Sequence, residues 1–169
     1  MADDNPRDLY VRALKNTHAL EQQALQIMER QVERLDQYPE MEQALRRHIA
    51  ETHGQRDRIE EVLLGFNEKP SALKEGVLGF VGNMASLTHA AFGDEILKDT
   101  YANHAFENFE VAAYKSLLTI AEIAGERSTA GFEQSLREEQ AMAQFVHDNV
   151  EAITRKYASL AIAGEKAKI

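Results

Sequence analysis

The sequence contains no cysteine, and this absence removes several kinds of chemistry at once. Without thiols the chain has no disulfide, no cysteine nucleophile and no thiolate ligand for zinc or an iron–sulfur cluster. A bound metal ion must therefore take oxygen and imidazole ligands. Ligands of that kind suit iron or manganese better than metals that prefer thiolates.

Proline, glycine and long apolar runs are also scarce. Three prolines and nine glycines are spread over 169 residues, so long uninterrupted helices are possible. No apolar run approaches the ~20 residues of a membrane span, and we expect no membrane partner. The segment from Met1 to Pro6 has neither the basic nor the apolar region of a secretory signal, which predicts a cytoplasmic location.

Basic residues are outnumbered by acidic ones. There are 19 lysines and arginines against 28 aspartates and glutamates, and the formal net charge is −9. Nucleic-acid-binding proteins usually carry a basic surface, so we expect no nucleic-acid partner. The 44% hydrophobic content is typical of a globular protein with a real core, and the length fits one domain.

Apolar residues recur with a helical period along most of the chain. Asn5 and Pro6 form a typical helix start, Tyr38-Pro39 restarts the chain after a tight turn, and Gly125 ends a helix. We therefore predict a single all-α domain, a four-helix bundle with a long helical crossover between helices 2 and 3 and a short C-terminal helix. The predicted helices cover about 6–37, 39–64, 71–91, 94–124, 129–155 and 157–163.

A glutamate lies in the middle of the apolar face of three of the long helices. These residues are Glu21, Glu107 and Glu139, and Glu51 lies at the edge of the corresponding face of the second helix. Each is close to the midpoint of its helix. In a bundle such positions share one layer, so we expect the four carboxylates to converge at its centre.

Four carboxylates in a low-dielectric core repel one another strongly. They must be partly protonated, paired with buried cations or neutralised by metal ions. No lysine or arginine is expected on the inner faces near them, which favours metal ions. A metal-free bundle with a buried polar network remains the alternative.

Histidines precede three of these glutamates by one turn, as His18-x-x-Glu21, His48-x-x-Glu51 and His104-x-x-Glu107. The i, i+3 spacing places both side chains on one face of a helix. His48 is either a ligand or a core histidine bonded to a neighbouring carboxylate, whereas the turns of His18 and His104 are expected outside the metal layer.

Flanking residues have other expected roles. Glu138 is expected to face solvent, with ligation in place of Glu139 as the alternative. Gln55 and Thr52 are expected to hydrogen-bond to ligands. Tyr114 is expected to be a core aromatic residue, or else a partner of a ligand.

The order of two helices, a crossover and two helices, with central carboxylates, resembles the ferritin-like superfamily. Several segments are similar, more closely, to the bacterial YciF-like stress-response family, a ferritin-like branch. They are Asp8-Leu-Tyr10, Ala19-Leu-Glu21-Gln-Gln, His48-Ile-Ala-Glu51-Thr-x-x-Gln55, Glu107-Asn-Phe-Glu110-Val-Ala-Ala-Tyr114 and Glu138-Glu139.

The resemblance implies an intracellular ferritin-like helical bundle, usually a homodimer, with a dinuclear metal site. The chain departs from the usual ferritin-like pattern, which has Glu-x-x-His on the second helix of each pair. Gly54 and Met142 stand where those histidines would be. Glu110 and His48 are the residues that would replace the missing ligands.

Together these observations predict a dinuclear iron site, with manganese as the other candidate metal. Its function would be Fe(II) oxidation or peroxide removal during stress. The alternative is a non-catalytic structural or interaction protein whose metal site is structural or vestigial. The predicted ligands are Glu21, Glu51, Glu107, Glu110, Glu139 and His48.

Overall fold

Four long helices make up almost all of the part of the chain that a computed structural model describes, residues 5–70 and 94–167. Those residues contain no β-strand, which confirms the all-α prediction. The predicted helix over 71–91 lies outside the described residues. The observed helices are α1, Pro6–Val32; α2, Pro39–Gly65; α3, Glu95–Ile123; and α4, Ala130–Ile162.

Local sequence signals account for the start of α1 and the end of α3. The side chain of Asn5 accepts a hydrogen bond from the backbone N–H of Asp8 at 3.0 Å, which caps α1. Gly125 follows α3 with a φ of 78°, a left-handed conformation that glycine adopts without strain.

Two predicted ends were wrong. α1 stops at Val32, well before residue 37, because Leu35 and Tyr38 of the following turn pack into the core. α4 continues through Ile162 as one helix, where a break near residue 156 was expected. The first residue after 155 that favours a helix end is Gly164, at a φ of 72°.

Each helix packs against two of the others. Within the described ranges, α1 lies against α2 and α3, and α4 lies against α3 and α2. The pairs α1–α4 and α2–α3 are therefore diagonal. All four helices therefore border the centre of the bundle.

Two apolar clusters fill the two ends of the bundle. The Met28 cluster joins the end of α1 to the start of α2, the start of α3 and the end of α4; it includes Met28, Met41, Leu45, Ile96, Val146 and Ile153. The Phe132 cluster joins the opposite ends of the same helices; it includes Leu14, Ile59, Leu63, Tyr114, Leu117 and Phe132.

Helix directions follow from these two clusters. α1 and α4 run one way, and α2 and α3 run the other way. The end of α2 and the start of α3 consequently lie at opposite ends of the bundle. Between the clusters is a layer of buried polar side chains, and this layer contains the candidate site.

No helix among the described residues is both long and apolar enough to cross a lipid bilayer.

Candidate metal centre

Three helices bring four potential metal ligands together at the middle of the bundle. They are His48 from α2, Glu107 and Glu110 from α3, and Glu139 from α4. One ligand atom from each lies within 4.8 Å of the others, and all four residues are buried. Glu107 and Glu110 are three residues apart, so one face of α3 presents both carboxylates.

The ring of His48 lies between the buried carboxylates of this cluster and Glu51. Its Nε2 lies 3.1 Å from a carboxylate oxygen of Glu107 and 3.5 Å from one of Glu139. Its Nδ1 is hydrogen-bonded to Glu51 at 3.0 Å. A carboxylate on the outer nitrogen fixes the ring and leaves the inner nitrogen to the cluster, a common arrangement for metal-binding histidines.

Glu51 itself is less enclosed than the cluster. Its side chain is 34% exposed, whereas that of Glu107 is 4% exposed. The structure thus places Glu51 on the solvent side of the His48 ring, and it places Glu107 on the inner side. This position agrees with the location of Glu51 at the edge of the apolar face of α2.

Glu21 of α1 is fully buried beside the cluster. One of its carboxylate oxygens accepts a hydrogen bond of 2.5 Å from the hydroxyl of Tyr114, and the other oxygen has no partner among the described residues. Burial and the negative charge of Glu139 raise the pKa of Glu21 well above its usual range. Glu21 is therefore electrostatically part of the same layer.

Burial dominates the acid–base behaviour of the other carboxyls. It raises the pKa of Glu107 to about 7, although the neighbouring His48 acts in the opposite direction. Burial, followed by the charges of Glu139 and Glu21, raises the pKa of Glu110 well above its usual range. In the absence of a cation, the layer therefore holds protons near neutral pH.

Burial lowers the pKa of His48, but the carboxylates around it outweigh this effect. Glu107, Glu139 and Glu51 together raise the pKa of His48 well above its usual range. The imidazole is thus a buried cation among acids when no metal ion is bound. A divalent ion would supply that positive charge instead.

Several buried polar atoms of this layer lack hydrogen-bond partners among the described residues. Nε2 of His48 and Oε2 of Glu107 approach each other closely, but not with the alignment of a hydrogen bond. Buried polar groups are almost always satisfied, so such a concentration needs an explanation. The unpartnered atoms are Glu21 Oε2, His48 Nε2, Glu107 Oε2, Glu110 Oε1, and Oε1 and Oε2 of Glu139.

These atoms fit a metal ion of the oxygen-preferring kind. Carboxylate oxygens and one imidazole nitrogen, without sulfur, are a donor set suited to iron or manganese. A cation would partner the free lone pairs and neutralise the mutual repulsion of the carboxylates. The donor set therefore fits the metal that the sequence predicts.

An arginine that the sequence analysis did not anticipate lies next to the layer. Arg58 of α2 forms two hydrogen bonds to Glu138, at 2.8 and 3.1 Å, and one to Ser135. Its side chain packs beside Gly131 of α4, where an added Cβ would lie 3.4 Å from Arg58 Cδ, an ordinary contact distance. In the sequence, the only indication of this contact is that Arg58 is a charged residue one turn after Gly54.

Glu138 is held by this arginine and is not part of the cluster. Its side chain is 16% exposed, so Glu138 lies on a flank of the layer that is partly open to solvent, and Glu139 is the residue in the cluster. Gln55 donates a hydrogen bond to Glu138 at 3.1 Å, and Thr52 donates to the backbone of its own helix at His48. Neither Gln55 nor Thr52 therefore forms a hydrogen bond to a ligand side chain of the four-residue cluster.

The histidines of the other two motifs contact residues outside the four-ligand cluster. His18 is fully buried but pairs with Glu60 at 2.8 Å. His104 lies near His147, with ring centres 5.6 Å apart. The positions of the missing ferritin-like histidines are filled differently: Met142 belongs to the Met28 cluster, and the Arg58 side chain lies next to Gly54.

Residues 5–159 match a family described as a domain of unknown function, DUF892. The chain belongs to this family. Protein YciF of Escherichia coli is 30% identical over 146 residues, which cover 79% of this chain and 83% of YciF. The resemblance to YciF-like proteins is thus confirmed.

Solved structures show the same architecture. A protein from Xanthomonas campestris superimposes with a TM-score of 0.77 at 27% identity, over 92% of this chain and 97% of that one. The crystal structure of YciF, described as an E. coli stress protein, gives a TM-score of 0.75 at 24% identity, over 87% of this chain and 95% of YciF. The four-helix arrangement is therefore shared with these two proteins.

Proposed function

We propose that this protein is a ferritin-like stress protein that binds two iron or manganese ions in its central polar layer. The observation that carries the proposal is the group of unpartnered carboxylate and imidazole atoms on His48, Glu107, Glu110 and Glu139. Four such residues hold one ion readily. Glu21, buried beside the cluster, and Glu51, next to the outer nitrogen of His48, would supply the further oxygens that a second ion needs.

A pair of such ions supplies one-electron redox chemistry toward dioxygen or peroxide when it is bound. The residues of the chain prepare the layer for this chemistry. His48 is oriented by Glu51, and the free oxygen of Glu21 is aimed by the Tyr114 hydroxyl. The two apolar clusters exclude water from both ends of the layer, which strengthens the electrostatic interactions within it. Fe(II) oxidation or peroxide removal is the proposed activity.

Metal stoichiometry tests the site directly. The purified protein, stripped by a chelator and reconstituted with Fe(II) without oxygen, is expected to retain about two equivalents of iron by elemental analysis. Glu107→Gln and Glu110→Gln should each lower this value, because each removes an anionic ligand. Glu122→Gln is the matched control, since it changes an exposed glutamate on the same helix. Retention of well under one equivalent by the unmodified protein would contradict the proposal.

A non-catalytic role is the second candidate, and the residues at positions 54 and 142 favour it. Neither Gly54 nor Met142 can bind iron as a histidine does. Stopped-flow mixing of the Fe(II)-loaded protein with oxygen or peroxide separates the two roles. Oxidation faster than that of free Fe(II) supports the redox activity, whereas an unchanged rate supports a structural metal site.

We also propose that the protein forms a homodimer through the outer face of α3. Tyr101 and Phe109 on that helix are 53% and 41% exposed, which is high for large aromatic side chains. Light scattering on the full chain tests the assembly. Tyr101→Lys should shift the measured mass toward that of a monomer.

A further inference from the structure

A second group of metal-binding side chains lies on the outside of the bundle, along the seam between α3 and α4. His104 and His147 face each other across this seam, with ring centres 5.6 Å apart and ring planes inclined by 36°. They line a groove of about 410 Å³, large enough for an ion with several waters. Other residues of the groove are Asn108, Val111, Gln140 and Gln144.

The spacing of the two rings suits a shared ion. An imidazole nitrogen binds Zn²⁺ at about 2.0–2.1 Å, which places the centres of two rings on one tetrahedral ion about 5 Å apart. The observed 5.6 Å between His104 and His147 needs only a small side-chain adjustment to reach that value. His147 is exposed and His104 is partly exposed, so an ion can reach both from solvent.

Two amide side chains, Asn108 and Gln144, line the groove beside the histidines. Asn108 donates its amide nitrogen to the carbonyl of His104 at 2.7 Å, and Gln144 donates its own to Asp148 at 2.7 Å. Their amide oxygens are further acceptors in residues that line the groove. The groove thus offers two imidazoles and further oxygen acceptors.

This group is separate from the buried centre. His147 is two helical turns from Glu139, which corresponds to about 12 Å along α4. His104 is one turn from Glu107, but it lines the groove, whereas none of the four buried ligands does. The buried ligands have almost no exposed surface, whereas the groove is open. Two distinct types of donor set therefore exist in the molecule.

We propose that His104 and His147 form a surface site for a divalent transition metal ion of the kind that prefers imidazole, such as Zn²⁺, Ni²⁺ or Cu²⁺. The two histidines are the protein ligands, and water or an amide oxygen completes the coordination. The site does not depend on the occupation or the reactivity of the buried centre.

Calorimetric titration of the chelator-treated full chain with Zn²⁺ tests this site. His104→Gln and His147→Gln are each expected to abolish one binding event or to weaken it at least tenfold. His53→Gln is the control, because it removes a partly exposed histidine from α2. Glu107→Gln should keep the event. Titrations of the His104 and His147 variants that superimpose on the unmodified protein would overturn the proposal, and so would loss of the event in Glu107→Gln.

Nuclear magnetic resonance of the unmodified protein gives a second readout that is independent of the folding of any variant. The ring protons of His104 and His147 should shift together and reach saturation at one equivalent of Zn²⁺, while those of His53 stay unchanged. Shifts of only one of the two histidines would contradict a shared ion.

Discussion

At the scale of single residues, Tyr114 has a role that goes beyond filling the core. Its hydroxyl is the only hydrogen-bond donor that the described residues provide to the carboxylate of Glu21, at 2.5 Å. Burial and the neighbouring Glu21 raise the pKa of Tyr114 well above its usual range, so the hydroxyl keeps its proton and donates. The orientation of Glu21 therefore depends on one phenol.

Tyr114→Phe should consequently lower stability. The change leaves a buried acceptor without its donor, which costs about 1–3 kcal/mol of unfolding free energy. Urea unfolding of the metal-free protein measures the loss. Tyr101→Phe, at an exposed position on the same helix, should change the unfolding free energy much less. Equal effects of the two substitutions would show that the hydroxyl of Tyr114 contributes no more to the unfolding free energy than an exposed hydroxyl does.

The raised pKa values of the buried carboxyls predict how stability varies with pH. The pKa of Glu107 is about 7 in the folded protein, against an ordinary value of 4.5, so the folded state binds more protons between these values. The metal-free protein should therefore lose stability as pH rises from about 4.5 through 7. The shifts of Glu21, Glu110 and His48 act in the same direction.

Thermal unfolding of the chelated protein at about pH 5.5 and pH 8 checks this dependence, with the lower melting temperature expected at pH 8. Metal-loaded protein is the comparison. Because ions bind the deprotonated ligands, the stabilisation by metal should be larger at pH 8. A melting temperature of the chelated protein that rises over this range would be evidence against protonated carboxyls in the layer.

At the scale of helices, Arg58 and Glu138 connect the neighbouring helices α2 and α4 beside the central polar layer. Their side chains are 24% and 16% exposed, and the guanidinium binds both carboxylate oxygens through its two terminal nitrogens. Paired arginine–carboxylate contacts of this kind are stronger than single exposed ion pairs. The interaction thus fixes the register of α4 on α2.

A double-mutant cycle of Arg58→Met and Glu138→Gln should give a coupling energy of about 1–2 kcal/mol, because the pair is only partly solvated. The pair Arg155 and Glu151 is the control. Both of those side chains are more than 70% exposed, and their coupling should be close to zero. A coupling at Arg58 no larger than the control would mean that the contact does not hold the helices together.

The helices and the depth of most glutamates within the bundle could be predicted from sequence, because the period of the apolar residues fixes which face of a helix is buried. Glu107 and Glu139 lie mid-face on their helices, and both are in the cluster. Glu51, at the edge of its face, lies at the edge of the site. The local pattern therefore determined depth within the bundle.

Contacts between helices could not be predicted in the same way. Whether Arg58 reaches Glu138 depends on the rotation of α2 against α4. The end of α1 depended on Leu35 and Tyr38 packing into a core that other helices complete. Such effects arise from tertiary packing, which periodicity within one helix does not encode.

At the scale of the whole molecule, the polar layer divides the hydrophobic core into two parts. The Met28 cluster and the Phe132 cluster share no members, and the carboxylates and the imidazole lie between them. Each cluster can gain its burial energy without the other. The coupling between the two ends of the bundle must pass through the layer or along the helix backbones.

This division has a consequence for folding cooperativity. In the metal-free protein, backbone amides next to the Met28 cluster and those next to the Phe132 cluster should exchange with solvent deuterium with different opening free energies. If an ion binds to the proposed ligands, metal loading should bring the two sets to a common, higher value, because the ion would then connect residues of three helices. Amides at the exposed end of α4 near Ile162 should not respond. Equal opening free energies without metal would show a single cooperative unit. With the expected result, the ions determine whether the bundle unfolds as one body or as two.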